Sequence, residues 1–417
     1  MCRTESRLFA HPARPAVPAG SGILAGQSAR ERVAGDLPRG ETMSHGTYRP
    51  PTPVNEPVKD YAPGSPERAA IQASLASMAA ETVEVPLIIG GREVRTGDTA
   101  EMVMPHDHGH VLGVYHKATA EHVNMAIDAA EKAKLAWSEM PWQERASIFL
   151  KAADLLATRW RDTINAATML NQSKTVHQAE IDAACELIDF FRFNVHYMHQ
   201  LYAEQPESAP GMWNRVEHRP LDGFVFAVTP FNFTSIAGNL PSAPAMLGNT
   251  SVWKPASTSV LSNYYVMKLF QEAGLPDGVI NFVPGSGANV GDPVMAHPAL
   301  AGVHFTGSTA VFQRMWKQIG TGIATYGQYP RIVGETGGKD FVVAHPSSDV
   351  QGLAVALVRG AFEFQGQKCS AASRAYLPKS LWPEVKERMA AMLAEIKMGD
   401  TRDFTNYVGA VIDAPSF

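Results

Sequence analysis

Three residues of this 417-residue chain have the types and surroundings needed for covalent chemistry on a carbonyl. Cys369 sits in Phe364-Gln365-Gly366-Gln367-Lys368-Cys369-Ser370. A thiol there, between a cation and a small residue and just past a glycine turn, can be a nucleophile. Glu335 lies 34 residues upstream in Val333-Gly334-Glu335-Thr336-Gly337-Gly338-Lys339, a glycine-flanked loop in which a carboxylate can activate water. Attack of a thiolate on a carbonyl carbon creates an oxyanion that needs fixed donors, and Asn232 in Thr229-Pro230-Phe231-Asn232-Phe233 is the candidate donor. A free thiol with pKa about 8.5 is only a few per cent ionised at neutral pH. Lys368 and nearby backbone N–H groups are therefore expected to supply positive potential. Cys185, by contrast, falls at helical spacing inside Ile181-Asp182-Ala183-Ala184-Cys185-Glu186-Leu187-Ile188 and reads as a packing residue.

A second set of residues points to a nucleotide. Gly285-Ser286-Gly287-Ala288-Asn289-Val290-Gly291 spells GxGxxxG, not the GxGxxG dinucleotide fingerprint, and it follows an inner strand, so alone it is weak. Phe305-Thr306-Gly307-Ser308-Thr309 is a stronger signal, because a strand end there turns into a helix whose small residues let a pyrophosphate approach its N-terminus. Lys254 in Val252-Trp253-Lys254-Pro255 ends another strand. His106, His108 and His110 alternate around Asp107, which is compatible with zinc on one face of a strand, but a solvated turn explains them better and no metal is expected.

These residues need a scaffold, and the hydrophobic pattern supplies one. From Gly223 onward strands and helices alternate: Phe224–Val228, a helix near 240, Ser251–Lys254, a helix over 259–273, Val279–Val283, a helix from 289, Gly302–Phe305, a helix over 309–320 and Arg331–Gly334. That is a parallel α/β sheet. Upstream, Val123, Ile127, Ala130, Ala133 and Trp137 mark one helical face with Thr119 as its cap, and further helices are expected over about 142–159 and 178–203. A short strand pair is expected between Met212 and Pro220. After Glu335, Asp340–Val343, a helix over 352–364 and Arg374–Leu377 begin a second α/β block. The implied organisation is a disordered extension over 1–42, an extended arm over 43–83, a nucleotide-binding domain over 84–334 and a partial catalytic domain over 335–417.

Composition narrows the function further. A chain with 45% hydrophobic residues is long enough for two or three domains with a buried core. Its 36 basic and 41 acidic residues give a formal net charge of -5 without a basic stripe, so nucleic acid is not an expected partner. Three widely spaced cysteines, Cys2, Cys185 and Cys369, offer neither a disulfide framework nor a metal cluster, which fits a reducing compartment. No apolar run reaches the roughly 18 residues of a membrane span. Residues 1–42 hold six Arg and no Lys, but Glu5, Glu31, Asp36 and Glu41 argue against a transit peptide. The expected location is cytoplasmic, with the mitochondrial matrix as the alternative.

From about Met43 to Phe417 the sequence resembles the aldehyde dehydrogenase superfamily, and within it the delta-1-pyrroline-5-carboxylate dehydrogenase branch. The motifs around Cys369, Glu335 and Asn232 carry the superfamily likeness. Phe312-Gln313-Arg314-Met315-Trp316-Lys317, Lys368-Cys369-Ser370 and Gly409-Ala410-Val411-Ile412-Asp413-Ala414 carry the branch. The resemblance implies a Rossmann-type NAD domain, an incomplete α/β catalytic domain and one arm of an oligomerisation hairpin at about 206–222, with a homodimer or higher homo-oligomer as the full-length form. It implies oxidation of L-glutamate gamma-semialdehyde to L-glutamate through a thiohemiacetal and a thioester on Cys369. Asn232 would donate to the oxyanion and Glu335 would activate water. Thr229, Lys254, Gly307, Ser308 and Thr309 would touch the cofactor. Ser370, Phe233 and Lys368 would line the substrate site, with Ser370 on the distal carboxylate and Phe233 on the aliphatic chain.

Two features depart from that pattern. Many NAD-selective relatives carry an acid three residues after the lysine, where this chain has Ser257, so NADP stays possible beside the favoured NAD. The chain also ends at Phe417 without the family's Glu-x-Phe-Gly-Pro segment, its substrate-anchoring loop or the last strand of its oligomerisation arm. It is therefore expected to be C-terminally truncated, with exposed sheet edges. Two other readings stay open: a dehydrogenase for another semialdehyde or aliphatic aldehyde, and a fragment that binds nucleotide or partner subunits without turnover.

Overall fold

Strands Phe224–Val228, Thr250–Lys254, Ile280–Phe282 and Leu300–Thr306 are buried almost throughout, as near-continuous apolar runs are when helices cover both faces of a parallel sheet. In the computed structural model, which describes residues 46–417, they form the middle of a seven-stranded sheet. Its order is 331–335, 300–306, 224–228, 250–254, 280–282, 87–89, 92–94. The first five strands are parallel. Leu87–Ile89 and Arg92–Val94 close one edge as an antiparallel hairpin whose turn, Gly90-Gly91, has φ +57° and +76°. Two successive positive φ values suit a two-residue hairpin and favour glycine at both places. The extension over 1–42, including Cys2, lies outside the described residues.

Strand connectivity sets where a ligand can enter. From Phe224–Val228 the chain steps outward through 250–254 and 280–282, then returns to pair Leu300–Thr306 with the opposite side of Phe224–Val228. The order therefore reverses at that central strand. In such sheets the crevice outside the carboxyl ends at the reversal is open for a ligand. Here those ends are Val228 and Thr306, which lead directly into the Thr229 and Gly307 loops.

Several elements differ from the sequence expectation. The stretch expected to be an extended arm contains a helix, Pro66–Ala80, with Ser65 as N-cap accepting from Arg68 N and Pro66 in its first turn. Ile71, Leu75 and Met78 bury one face of it. Ahead of this helix the arm is extended and tied down by charge: Lys59 N and the Tyr61 hydroxyl donate to Glu180, while Arg161 bridges Glu56 and Glu180. The helix expected over 178–203 is regular only from Glu186 to Ala203, after a π-helical turn at Glu180–Cys185. Between Met212 and Pro220 no strand pair forms. The chain does double back, but the Gln205 side-chain amide replaces the ladder, accepting from Val216 N at 2.9 Å and donating to Val216 O at 3.3 Å. Helix Ala120–Glu139 has Thr119 as its cap and buries Val123, Ile127, Ala130 and Trp137.

Beyond Glu335, Asp340–Val343 pairs in parallel with Ala372–Tyr376 to make a separate two-stranded sheet. Helices Val350–Phe362 and Trp382–Glu395 pack around Leu353, Leu357 and Val385, a much smaller core than that of the large sheet. Phe341, Val343 and Tyr376 are exposed. Among the described residues, no helix is long and apolar enough to cross a membrane.

Candidate active site

The crevice predicted by the strand order is a cleft of 690 Å³, and Thr229, Lys254, Gly307, Ser308 and Cys369 line it. Helix Thr309–Thr321 points its N-terminus at this space, with Ser308 as N-cap accepting from Val311 N at 3.4 Å. An anion there meets free backbone N–H groups and the positive end of the helix dipole. Thr309 is the first residue of that helix and does not line the cleft. Gly287 and Gly291, from the weak glycine motif, do line it. The Thr229 hydroxyl accepts from Trp253 Nε1 at 3.0 Å, which fixes its rotamer. Lys254 Nζ donates only to Pro255 O, at 3.1 Å, and burial pushes its pKa down to about 8. With no acidic partner among the described residues, its remaining N–H donors are available to a ligand's hydroxyls.

A second cleft of 450 Å³ lies on the other side of Cys369, lined by Phe233, Glu186, His304, Glu335, Cys369 and Ser370 among others. Cys369 thus forms a wall common to both spaces. Glu335 is the last residue of strand Arg331–Glu335, and its backbone carbonyl accepts from Gly307 N at 3.2 Å, joining the carboxylate's strand to the nucleotide loop. Gly338 crosses the nucleophile's backbone so closely that a Cβ there would stand 1.5 Å from the Cys369 carbonyl oxygen. Asn232 Nδ2 donates to Gln367 O at 3.0 Å and its Oδ1 is buried without a partner among the described residues, so its amide is held beside the Cys369 loop with a second N–H that no described residue takes. The three residues singled out for chemistry therefore converge from separate parts of the chain.

The nucleophile loop is held under strain. Phe364 and Gln365 have φ +49° and +57°, left-handed conformations rare for such side chains, followed by Gly366 at +71°. Gln367 Oε1 accepts from Ile412 N at 2.9 Å, and Gln365 Nε2 donates to Ala410 O. Beneath the loop, Lys174 is fully buried with Nζ 4.3 Å from the Phe233 ring centroid and 4.4 Å from that of Phe364. Its ammonium donates to Asp182 Oδ2 at 2.6 Å, and burial pushes it down to about 8.

Asp182 also holds Lys368 Nζ at 3.0 Å. The positive potential expected from Lys368 is thus spent on a carboxylate. Burial, with the neighbouring Glu335 carboxylate adding to it, pushes the Cys369 thiol up to about 11. Cys185 is buried within 3.3 Å of Arg161 Nη2, and burial pushes its thiol up to about 12. The three imidazoles have different surroundings. His106 turns inward onto Ser173 Oγ at 2.7 Å, with Asp400 Oδ1 3.3 Å from its Nε2, so it is not a solvated turn residue; His108 is exposed, and His110 Nε2 donates to Ala79 O at 2.8 Å.

Residues 93–417 match the family model described as "Aldehyde dehydrogenase family". The chain belongs to the aldehyde dehydrogenase family. Among its relatives, the delta-1-pyrroline-5-carboxylate dehydrogenase of Agaricus bisporus is 52% identical over 374 residues, covering 89% of this chain and 68% of that relative. A mitochondrial enzyme of the same name from Emericella nidulans is 49% identical over 401 residues, covering 95% and 70%. The crystal structure of the Mycobacterium tuberculosis enzyme bound with NAD is 53% identical with a TM-score of 0.88, covering 89% and 70%. The chain therefore spans about two thirds of the length of these dehydrogenases.

Glu186, Lys174, Asp182 and His304 stand around the same site, and no sequence motif marks them. Glu186 faces the second cleft and accepts from Ser235 Oγ at 2.5 Å, and burial pushes its carboxyl up. Helical spacing around Asp182 and Glu186 reads as an ordinary half-polar face. The π turn at Glu180–Cys185, which shifts that register, leaves no simple mark in sequence.

Proposed function

We propose that this chain carries the site for NAD-dependent oxidation of L-glutamate gamma-semialdehyde to L-glutamate in proline catabolism. The observation that carries the proposal is Cys369 as the shared wall of two clefts, one ending at a helix N-terminus and the other containing Glu335. The names of the relatives and the NAD-bound M. tuberculosis structure support the substrate and the cofactor. Ser257, also on the cleft wall, leaves no carboxylate there to repel a 2′-phosphate.

In this reading Cys369 Sγ attacks the aldehyde carbon, and the free N–H of Asn232 with the Cys369 backbone N–H steadies the oxyanion. Bound NAD supplies the hydride acceptor. Lys254 would hold the adenosine ribose hydroxyls, and Gly307 and Ser308 the pyrophosphate. Collapse leaves a thioester on Cys369, whose carbonyl takes a water deprotonated by Glu335; the C–S bond breaks and the acid leaves. Ser370 and Phe233, both on the second cleft, would meet the substrate's carboxylate and aliphatic chain. Lys368 we assign to holding the nucleophile loop through Asp182, because its ammonium is paired there.

The Emericella nidulans name favours the mitochondrial matrix over the cytoplasm as the place of work. The doubled-back segment at 206–222, with Met212 and Trp213 exposed, is the proposed oligomerisation arm.

The test is NADH formation from a panel of aldehydes. Glutamate semialdehyde is expected to exceed succinate semialdehyde and propanal by about tenfold or more in kcat/KM, and equal values would overturn the assignment. Lys254→Met is expected to weaken NAD binding by about tenfold or more, since a charge-assisted hydrogen bond is lost. Wild-type binding should also weaken as pH rises through about 8, where the buried Lys254 gives up its proton. A calorimetric titration in which the variant keeps that pH dependence would remove Lys254 from the ribose site.

A further inference from the structure

Helix Thr234–Met246 contains Pro241 and Pro244. Pro244 has no N–H, so the carbonyl of Leu240, four residues before it, has no helical donor. His304 fills the gap, with Nδ1 at 2.9 Å from Leu240 O. A carbonyl only accepts, so Nδ1 carries the proton. In the neutral ring, Nε2 is then a bare acceptor. Burial pushes the His304 pKa down, which keeps the ring neutral at physiological pH.

Nε2 has no partner among the described residues, and His304 lines the second cleft together with Cys369 and Glu335. The sheet register aligns the two side chains. His304 is opposite Val333 and Thr306 is opposite Glu335, so His304 and Glu335 project from one face of adjacent parallel strands, two residues apart along the strand. Both side chains line the same cleft, so their polar ends reach toward a common space in which one water can bridge them.

We propose that His304 is a positioning residue for thioester hydrolysis, its Nε2 accepting one hydrogen of the water whose other proton Glu335 removes. The water oxygen is thereby aimed at the thioester carbon on Cys369. Its O–H bond breaks toward the Glu335 carboxylate, a C–O bond forms, and the C–S bond breaks to return the thiolate. The inference rests on the aldehyde-oxidising reading but concerns only the second half of the reaction, so that half can be tested separately.

p-Nitrophenyl acetate acylates a nucleophilic thiol without nicotinamide. With it, His304→Phe is expected to keep the nitrophenolate burst while steady-state release falls about tenfold, with acetylated Cys369 accumulating in quenched samples read by peptide mass spectrometry. His304→Gln, which keeps an acceptor, should recover most of the loss. Pro244→Ala returns an N–H to the Leu240 carbonyl and so competes with Nδ1; it should slow the same step by about threefold. This second variant decides the matter if His304→Phe does not fold. Burst and steady state falling together, or neither changing, would overturn the proposal. Acyl-Cys369 forming and hydrolysing normally, with no NADH from any aldehyde, would instead count against the dehydrogenase reading and leave the role of His304 standing.

Discussion

Cys369→Ala is expected to lower aldehyde-dependent NADH formation by about 10⁴-fold or more while NAD binding stays intact, because no other thiol among the described residues reaches either cleft. Of the described cysteines, Cys185 is buried and lines neither space. Removing a partly exposed Sγ costs little packing, within about 0.5 kcal/mol of stability, so lost activity would not reflect unfolding. Absorbance of NADH for turnover and calorimetry for binding separate the two effects, and retained turnover would remove Cys369 as nucleophile. The wild-type thiol should also alkylate slowly at neutral pH, because its pKa is pushed up to about 11. Its reactivity should climb steadily through the alkaline range, and a plateau below pH 8 would show a thiolate that the resting geometry does not explain.

The elevated thiol changes how the sequence is to be interpreted. Lys368 next to Cys369 suggests an activating cation, yet neighbours in sequence need not share a space. Lys368 reaches back to Asp182, and the buried Lys174 pairs with the same carboxylate oxygen. That arrangement depends on three segments meeting and on the π turn that rotates Asp182 inward, and neither has a local pattern. The alternating strands and helices were legible from Phe224 onward because a buried parallel sheet writes itself as apolar runs separated by glycine-rich turns. Cys369, Glu335 and Asn232 were legible because their flanking glycines and turn residues are short-range constraints. Gly338 shows this well, since its lack of a side chain is demanded by the Cys369 carbonyl oxygen. The helix at Pro66–Ala80 was missed because proline and polar residues dominate its approach, although Ser65-Pro66 is a proper helix start once the buried Ile71, Leu75 and Met78 are counted. Near 212–220 the sequence suggests a strand pair that does not form: a segment can double back with one side-chain amide in place of a ladder, and alternation alone does not distinguish these. His304 is invisible in sequence, since its role depends on a carbonyl freed by a proline 60 residues earlier.

Glu335→Gln should separate the two halves of the reaction. The first turnover needs the thiolate and the oxyanion donors, so a burst of NADH close to one per site is expected. Hydrolysis of the thioester needs a base, and the steady state should fall by about 10²–10⁴-fold. The same substitution removes a negative charge beside Cys369. Since that carboxylate helps to hold the thiol's pKa above its ordinary value, the amide should let it fall, and each half-unit of fall gives about threefold more thiolate at neutral pH. Alkylation of Cys369, followed by peptide mass spectrometry, is therefore expected to become faster in a variant whose turnover has nearly stopped. A general loss of structure would also expose the thiol and speed its alkylation, so it is the intact NADH burst of about one per site beside the faster alkylation that identifies the charge effect. Steady-state turnover near wild type would remove Glu335 as the base. Slower alkylation at neutral pH would show instead that the carboxylate takes the thiol's own proton, and Glu335 would then belong to the first half of the reaction as well as the second.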